Sequence, residues 1–302
     1  MSICIPAFEA ERHLGTTLTS VLAQGGDDLE ILVLDNASTD ATAVLCAAAA
    51  AADPRVRIER NPTVLPLPEN WNRAIELSRG ELIKVVCADD LIHPDAVQVQ
   101  ANALRSNPDI ALVASRRHLI DDDGGLLAAD QGLRHLTGTL PGRTVAARVV
   151  RSGGNPLGEP GGAMFRRRDF ERAGGFDGSL LFPMDLDLWM KLLKFGDFLG
   201  QRETLAAFRA AANSLSSARS LEQFREQRIL TGRITRDTDW RLGRLDTVLG
   251  TVGARWARTR RELLFRASGW SGRRALEWVN ARHDVGWLHN RAVTRPAAER
   301  RC

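Results

Sequence analysis

The chain has 302 residues, 44% hydrophobic and 26% charged, enough for one large α/β domain plus an appendage and typical of a soluble globular protein. Its cysteines (Cys4, Cys46, Cys87 and Cys302) lie far apart with no C-x-x-C pair, which argues against a zinc site or disulfide framework and fits a reducing cytoplasm. The net charge of +4 hides an asymmetry: residues 215–302 carry 19 Arg against 9 Asp or Glu (+10), and the first 214 carry 22 basic against 28 acidic groups (−6).

The first 110 residues alternate strand and helix. A strand at Ile3–Ile5 begins almost at once, leaving no room for a signal peptide. Leu14, Leu18, Val21 and Leu22 have helical spacing within 12–24. Leu29–Leu34 is a second strand, with Ser38 or Asp40 available to cap the next helix. Val56–Glu59 is a third strand, Asn70–Ser78 a helix stopped by Gly80, and Leu82–Val86 a fourth strand. Pro94-Asp95 opens a helix to about Ser106. This alternation predicts a doubly wound, mostly parallel sheet flanked by helices.

Ile110–Ser115 is another strand, followed by a polar turn at Asp121–Gly125, an irregular stretch at Gly132–Gly142 and a helix at Thr144–Ser152. A Gly/Pro loop spans Gly153–Gly162 and suits a segment that shapes a site. A short helix then ends at Gly174-Gly175, and an amphipathic helix follows Pro183 to about Gly196. Beyond Ser217 the sequence reads as an arginine-rich helical extension. The expected units are 1–212, with halves 1–110 and 111–212, and a C-terminal region 213–302. No apolar run reaches the ~18 residues that span a bilayer, and the alanine-rich stretch 43–52 reads as a helix. A soluble or peripheral protein is expected.

Two acidic clusters each follow a hydrophobic run: Asp35 through Asp40 after EILVL, and Asp89-Asp90 after LIKVV. At the carboxyl edges of parallel strands such groups face one crevice. Their mutual repulsion calls for a cation or several hydrogen-bond donors. A metal-assisted site for a phosphorylated ligand is the reading that follows.

In order and spacing, these segments resemble the family 2 glycosyltransferases over roughly residues 2–212. The opening Ser2-Ile3-Cys4-Ile5-Pro6-Ala7-Phe8-Glu9 is similar to the family's first strand and P-[ATM]-[YF]-N turn, with Phe8 and Glu9 for the usual Tyr and Asn. Glu30 through Asp40 resembles the second-strand motif, and Asn70-Trp71-Asn72-Arg73-Ala74 followed by Gly80-Glu81-Leu82-Ile83-Lys84 resembles the stretch before the metal motif. The resemblance implies an inverting GT-A-type transferase. It would move a sugar from a nucleoside-diphosphate donor to an acceptor hydroxyl with Mg²⁺ or Mn²⁺, in cell-surface polysaccharide or lipopolysaccharide assembly.

It also implies roles. Pro6, Ala7, Phe8, Glu9, Asp35 and Asn72 fall to the nucleotide, Asp90 to the metal, and Asp89 to the metal and ribose. Cys87 stands where the family often has a first Asp; a thiol is a poor ligand for hard cations. Asp185, in Met184-Asp185-Leu186-Asp187-Leu188-Trp189, is implied as the general base, with Asp187 the rival base or a helix cap. Arg209 matches the arginine of the family's Y-R-x-H motif, whose His is absent, and is left as a phosphate contact. Glu159 faces either a sugar hydroxyl or solvent, and His93 reads as a surface residue.

The tail mixes arginines with Trp240, Trp256, Trp270, Trp278 and Trp287. It fits peripheral contact with an anionic membrane carrying lipid-linked acceptors, a helical cap or a homo-oligomer contact. No nucleic-acid module accompanies the charge. Two alternatives share the fold: a sugar nucleotidyltransferase, although Pro6–Leu14 lacks its glycine-rich phosphate loop, and a non-catalytic sugar-nucleotide-binding scaffold. A dinucleotide-dependent enzyme is disfavoured because no G-x-G-x-x-G follows the first strand.

Overall fold

The computed structural model describes residues 1–210 apart from 27, residues 220–250 apart from 244 and 247, residue 253, and residues 286–289. Ten strands form one sheet: β1 (Ser2–Ala7), β2 (Glu30–Asp35), β3 (Val56–Arg60), β4 (Leu82–Val85), β5 (Leu91–Ile92), β6 (Ile110–Ile120), β7 (Leu126–Gln131), β8 (Gly138–Leu140), β9 (Ala163–Arg166) and β10 (Asp197–Arg209). Their order is β3-β2-β1-β4-β9-β6-β10-β5, with β7 on β6 and β8 on β10. The run β3-β2-β1-β4 is parallel, as is β6 with β10. β9 is antiparallel to both β4 and β6 and joins the two halves.

Helices cover both faces: α1 (Leu14–Leu22), α2 (Thr42–Ala52), α3 (Leu67–Leu77), α4 (Ala96–Ser106), α5 (Gly142–Ser152), α6 (Arg167–Ala173), α7 (Met184–Leu192) and α8 (Ser220–Arg236). Alternate residues of each strand enter different layers. Ile3, Ile5 and Val33 pack with Leu14, Val21, Cys46 and Leu104 from α1, α2 and α4. On the other face Cys4, Leu34 and Val85 pack with Trp71, Ile75, Val149 and Trp189 from α3, α5 and α7. Burial on both faces explains why β1 and β2 read as continuous apolar runs.

The predicted α/β class and the first four strands hold, with helix ends shifted by a few residues. The extension of α3 to Ser78 fails because Ser78 is extended and the helix ends at Leu77. Gly80 is not its stop. A Cβ there would come within 2.5 Å of the Met1 and Ser2 backbone, so glycine permits the chain to pass β1. The irregular stretch Gly132–Gly142 contains β8, and β6 runs on to Ile120. Asp40 accepts from the Thr42 N–H at 3.0 Å, but the cap position before α2 is Ala41, so neither Ser38 nor Asp40 occupies it as expected.

The extension begins with α8, which places Leu230 and Ile234 in the same apolar cluster as α5 and α7. Trp240 joins them; Trp256, Trp270 and Trp278 lie outside the described residues. At Gly286–His289 the chain lies against the β5 edge, where Trp287 meets the His93 ring edge-on at 5.4 Å and stacks on His118 at 5.9 Å. His93 is thus covered by Trp287, a correction to its surface reading. Among the described residues, no helix is long and apolar enough to cross a membrane.

Candidate active site

Strand register sets the donor side. Ala7 pairs with Asp35, so the turns that follow β1 and β2 emerge side by side. Glu9 ties them together: its N–H donates to Ser38 Oγ at 3.0 Å, and its Oε1 accepts from the Thr39 N–H at 2.8 Å and the Thr39 hydroxyl at 3.0 Å. This bracket holds Glu9 at φ +46°, a conformation that strains a non-glycine residue. Glu9 therefore fixes the shape of the loop that carries Phe8. Phe8 is 50% exposed, open to stack on a planar ligand instead of filling the core. Pro6 and Ala7 are buried in β1.

Asp35 is buried and already satisfied by the protein. Its Oδ1 accepts from the Ser38 N–H at 2.9 Å, and its Oδ2 pairs with Arg60, which also donates to the Ser38 carbonyl at 2.9 Å. Arg60 had no motif to mark it and was missed in the sequence. Asn72, expected at the nucleotide, is held elsewhere. Its Nδ2 donates to the Phe176 carbonyl at 3.0 Å and its Oδ1 accepts from the Phe176 N–H at 2.8 Å, bracing α3 against the turn after α6.

The second acidic cluster follows β4. Ligand atoms of Cys87, Asp89 and Asp90 all lie within 4.8 Å of one another. Burial, with the Asp89 carboxylate beside it, raises the Asp90 carboxyl well above its ordinary range; burial also raises Asp89. Burial raises the Cys87 thiol, and the carboxylates of Asp90, Asp89, Asp185 and Glu159 add to the effect. Four acidic groups from three segments thus converge on one crevice around Cys87.

Arg209 offsets the Asp89 and Asp90 charges only in part. Arg209 donates through its main-chain N–H to Asp90 Oδ1 at 3.0 Å. Its side chain donates to the carbonyls of Asp89, Asp121 and Asp122 at 2.8–2.9 Å. A buried guanidinium committed in this way braces the acidic turn, where the sequence suggested a phosphate contact. Two neighbouring carboxylates that Arg209 offsets only in part offer the oxygen ligands a hard divalent ion prefers, so the donor set at Asp89 and Asp90 fits Mg²⁺ or Mn²⁺.

Asp185 opens α7 on the far side of the crevice. Its Oδ1 accepts from the Leu186 N–H at 2.7 Å and its Oδ2 from Asn155 Nδ2 at 2.9 Å. Burial, reinforced by Glu159 and partly offset by Arg117, pushes its carboxyl up to about 7. The rival Asp187 is paired with Lys191 at 2.6 Å, one helical turn on. That pairing commits Asp187 to a contact on its own helix. Glu159 forms an ion pair with Arg117, whose Nη2 donates to Glu159 Oε1 at 2.9 Å, so it is not a free loop charge.

Asn155 was not singled out in the sequence, though it sits in the Gly/Pro loop that was. Its Oδ1 accepts from the N–H groups of Leu157 and Gly158, both at 3.1 Å. Its amide thereby shapes the loop and orients the base together. Replacing Asn155 with alanine is expected to slow turnover roughly tenfold and move the acid limb of the pH–rate profile upward, since a donor to the carboxylate is lost. An unshifted limb in a pH–kcat series would remove that role.

The model of the glycosyl transferase family 2 domain matches residues 2–174, more than half of the chain. The chain belongs to the family 2 glycosyl transferases. An uncharacterized protein of Mycobacterium tuberculosis is 31% identical over 199 residues, covering 64% of this chain and 61% of that one. The chondroitin synthase of Escherichia coli is 27% identical over 200 residues, 66% of this chain and 27% of the synthase. This family member thus spans about three fifths of the first relative and about a quarter of the second.

Among solved structures, S. aureus TarS 1–349 in complex with UDP-GlcNAc superposes with a TM-score of 0.61 at 14% identity, over 78% of this chain and 66% of that one. The mannosyltransferase PcManGT from Pyrobaculum calidifontis, in complex with GDP-Man and Mn²⁺, gives 0.59 at 17% identity, over 93% of this chain and 78% of that one. The shared architecture is the GT-A-type fold.

Proposed function

We propose that this family 2 member transfers a sugar from a nucleoside-diphosphate sugar to an acceptor hydroxyl with inversion at the anomeric carbon. The observation that carries the reading is Asp185. It is a carboxyl poised near neutrality, oriented by two donors, in the same crevice as the Asp89–Asp90 pair. A base for a sugar hydroxyl needs this combination of reach and basicity.

In this mechanism the Pro6–Glu9 turn holds the nucleoside, with Phe8 against the base and Asp35 bracing the neighbouring turn through Ser38 and Arg60. Asp185 takes the proton of the acceptor hydroxyl as its oxygen bonds to the anomeric carbon from the face opposite the diphosphate. The anomeric C–O bond breaks, and its electron pair leaves on the diphosphate oxygen. Asp90 and Asp89 would hold a divalent cation, Mg²⁺ or Mn²⁺, which supplies charge stabilisation to the leaving diphosphate. Arg209 keeps the acidic turn in place. The donors named for the two neighbours, UDP-GlcNAc and GDP-Man, support a nucleotide-sugar substrate.

The acceptor we favour is a saccharide or a lipid-linked saccharide of cell-surface polysaccharide or lipopolysaccharide assembly. The chondroitin synthase similarity supports the polysaccharide class. The protein would act in the cytoplasm, with the arginine-rich C-terminal region available for peripheral contact with the inner face of the membrane or for self-association.

The test is release of nucleoside diphosphate from a panel of sugar nucleotides with Mn²⁺ or Mg²⁺, with product configuration read by NMR. Turnover giving the inverted anomer supports the reading. Retained configuration, or no turnover with any donor and acceptor, overturns it. Because Asp185 must be ionised to accept a proton, the rate should fall at least about tenfold per pH unit below about 7 and level off above it. A profile flat between pH 5 and 8 would contradict the assignment.

A further inference from the structure

Lys84, the third residue of β4, is out of keeping with its surroundings. It is fully buried in the sheet, where β1 and β2 carry aliphatic side chains. A lone buried ammonium is strongly unfavourable unless its hydrogen bonds are complete. The amine donates to Gln100 Oε1 at 2.7 Å and to the Ala163 carbonyl at 3.3 Å.

The contacts continue beyond it. Gln100, also fully buried, donates from Nε2 to the Gly162 carbonyl at 2.7 Å, and Ser115 Oγ donates to the same oxygen at 3.3 Å. The Gly162 N–H closes the turn on the Glu159 carbonyl at 3.0 Å. This turn, Pro160–Gly162, is buried against the site. A Cβ built on Gly161 would lie 3.9 Å from Asp90 Oδ2, and Glu159 at its start acts electrostatically on Asp185.

We propose that Lys84 is a positioning residue of the transfer reaction, pinning the Pro160–Gly162 turn through Gln100 so that the metal-side and base-side carboxylates keep their relative placement. The inference rests on the transferase reading for its functional half only. The donor count agrees with it. A neutral amine has two N–H groups for two acceptors, whereas an ammonium would carry a third with no partner. Gln100 from α4, Ser115 from β6 and the Gly162 and Ala163 carbonyls bring no titratable group to the amine, and burial alone lowers it to about 7.

The experiment pairs Lys84→Met with Gln100→Leu in the full chain, so that a folding failure of one leaves the other to decide. Hydrogen exchange of the segment around 158–165 should quicken at least tenfold in either variant, with β1–β3 unchanged. Unchanged exchange there overturns the buttress whether or not the protein turns over. Given turnover, kcat should fall about tenfold or more while nucleotide affinity moves less than threefold. The wild-type rate should fall about a hundredfold per pH unit on its acid limb, reflecting Asp185 and Lys84 together, and tenfold in Lys84→Met. A tenfold limb in both proteins, or loss confined to affinity, overturns the positioning role. Quickened exchange in a protein without turnover would sink the transferase reading and the positioning role with it, leaving a structural buttress.

Discussion

Asp185→Asn is expected to lower transfer by roughly 10²–10⁴-fold, the usual range for loss of a general base, and to leave nucleotide binding nearly intact. The substitution preserves shape, and the Leu186 N–H can still donate to the amide oxygen, although the new NH2 group faces Asn155 Nδ2 and that bond is lost. The nucleoside-side residues Phe8 and Asp35 lie on other segments. A second consequence has opposite sign. Because burial raises the folded-state pKa to about 7, the unfolded chain binds fewer protons than the folded one between about pH 4 and 7. Wild-type stability contributed by this group therefore falls as pH rises through that window. The melting point of the asparagine variant relative to wild type should therefore rise as pH goes from about 4 to 8. A difference that does not change with pH would contradict the raised carboxyl.

Asp90→Asn should erase the effect of Mn²⁺ on nucleotide affinity and cut turnover by roughly 10²–10³-fold, the scale of losing one main electrostatic stabiliser. Asparagine is preferable to alanine here because Asp90 Oδ1 accepts the Arg209 N–H, and an amide oxygen keeps that bond. Calorimetric titration with and without Mn²⁺ reads the outcome. An undiminished metal response in the variant would place the cation elsewhere.

The sheet was legible where burial leaves a simple pattern. β1, β2 and β4 are short apolar runs bounded by polar turns, and the acidic residues that follow β2 and β4 could be placed at strand ends before any coordinates. The half 111–212 was harder. β7 and β8 are partly exposed strands of mixed polarity, and β10 shifts register three times along β6, so none shows clean alternation. Site chemistry divides in the same way. Asp185 and Asp90 sit in motifs, but the groups that tune them come from distant segments. Asn155 is 30 residues before Asp185, and Arg60 is 25 after Asp35. Such pairings depend on tertiary contact and leave no spacing in the chain. Asn72 and Arg209 illustrate the converse, since a residue in a familiar motif can be committed to bracing the backbone.

The most direct test of a metal-assisted nucleotide-sugar site is calorimetric binding of UDP, GDP, CDP and dTDP to the folded protein, each with and without Mn²⁺. The expected result is that one nucleotide binds and that its affinity depends on the metal. No binding by any of the four to folded protein would contradict the account and leave this family member as a scaffold without donor chemistry.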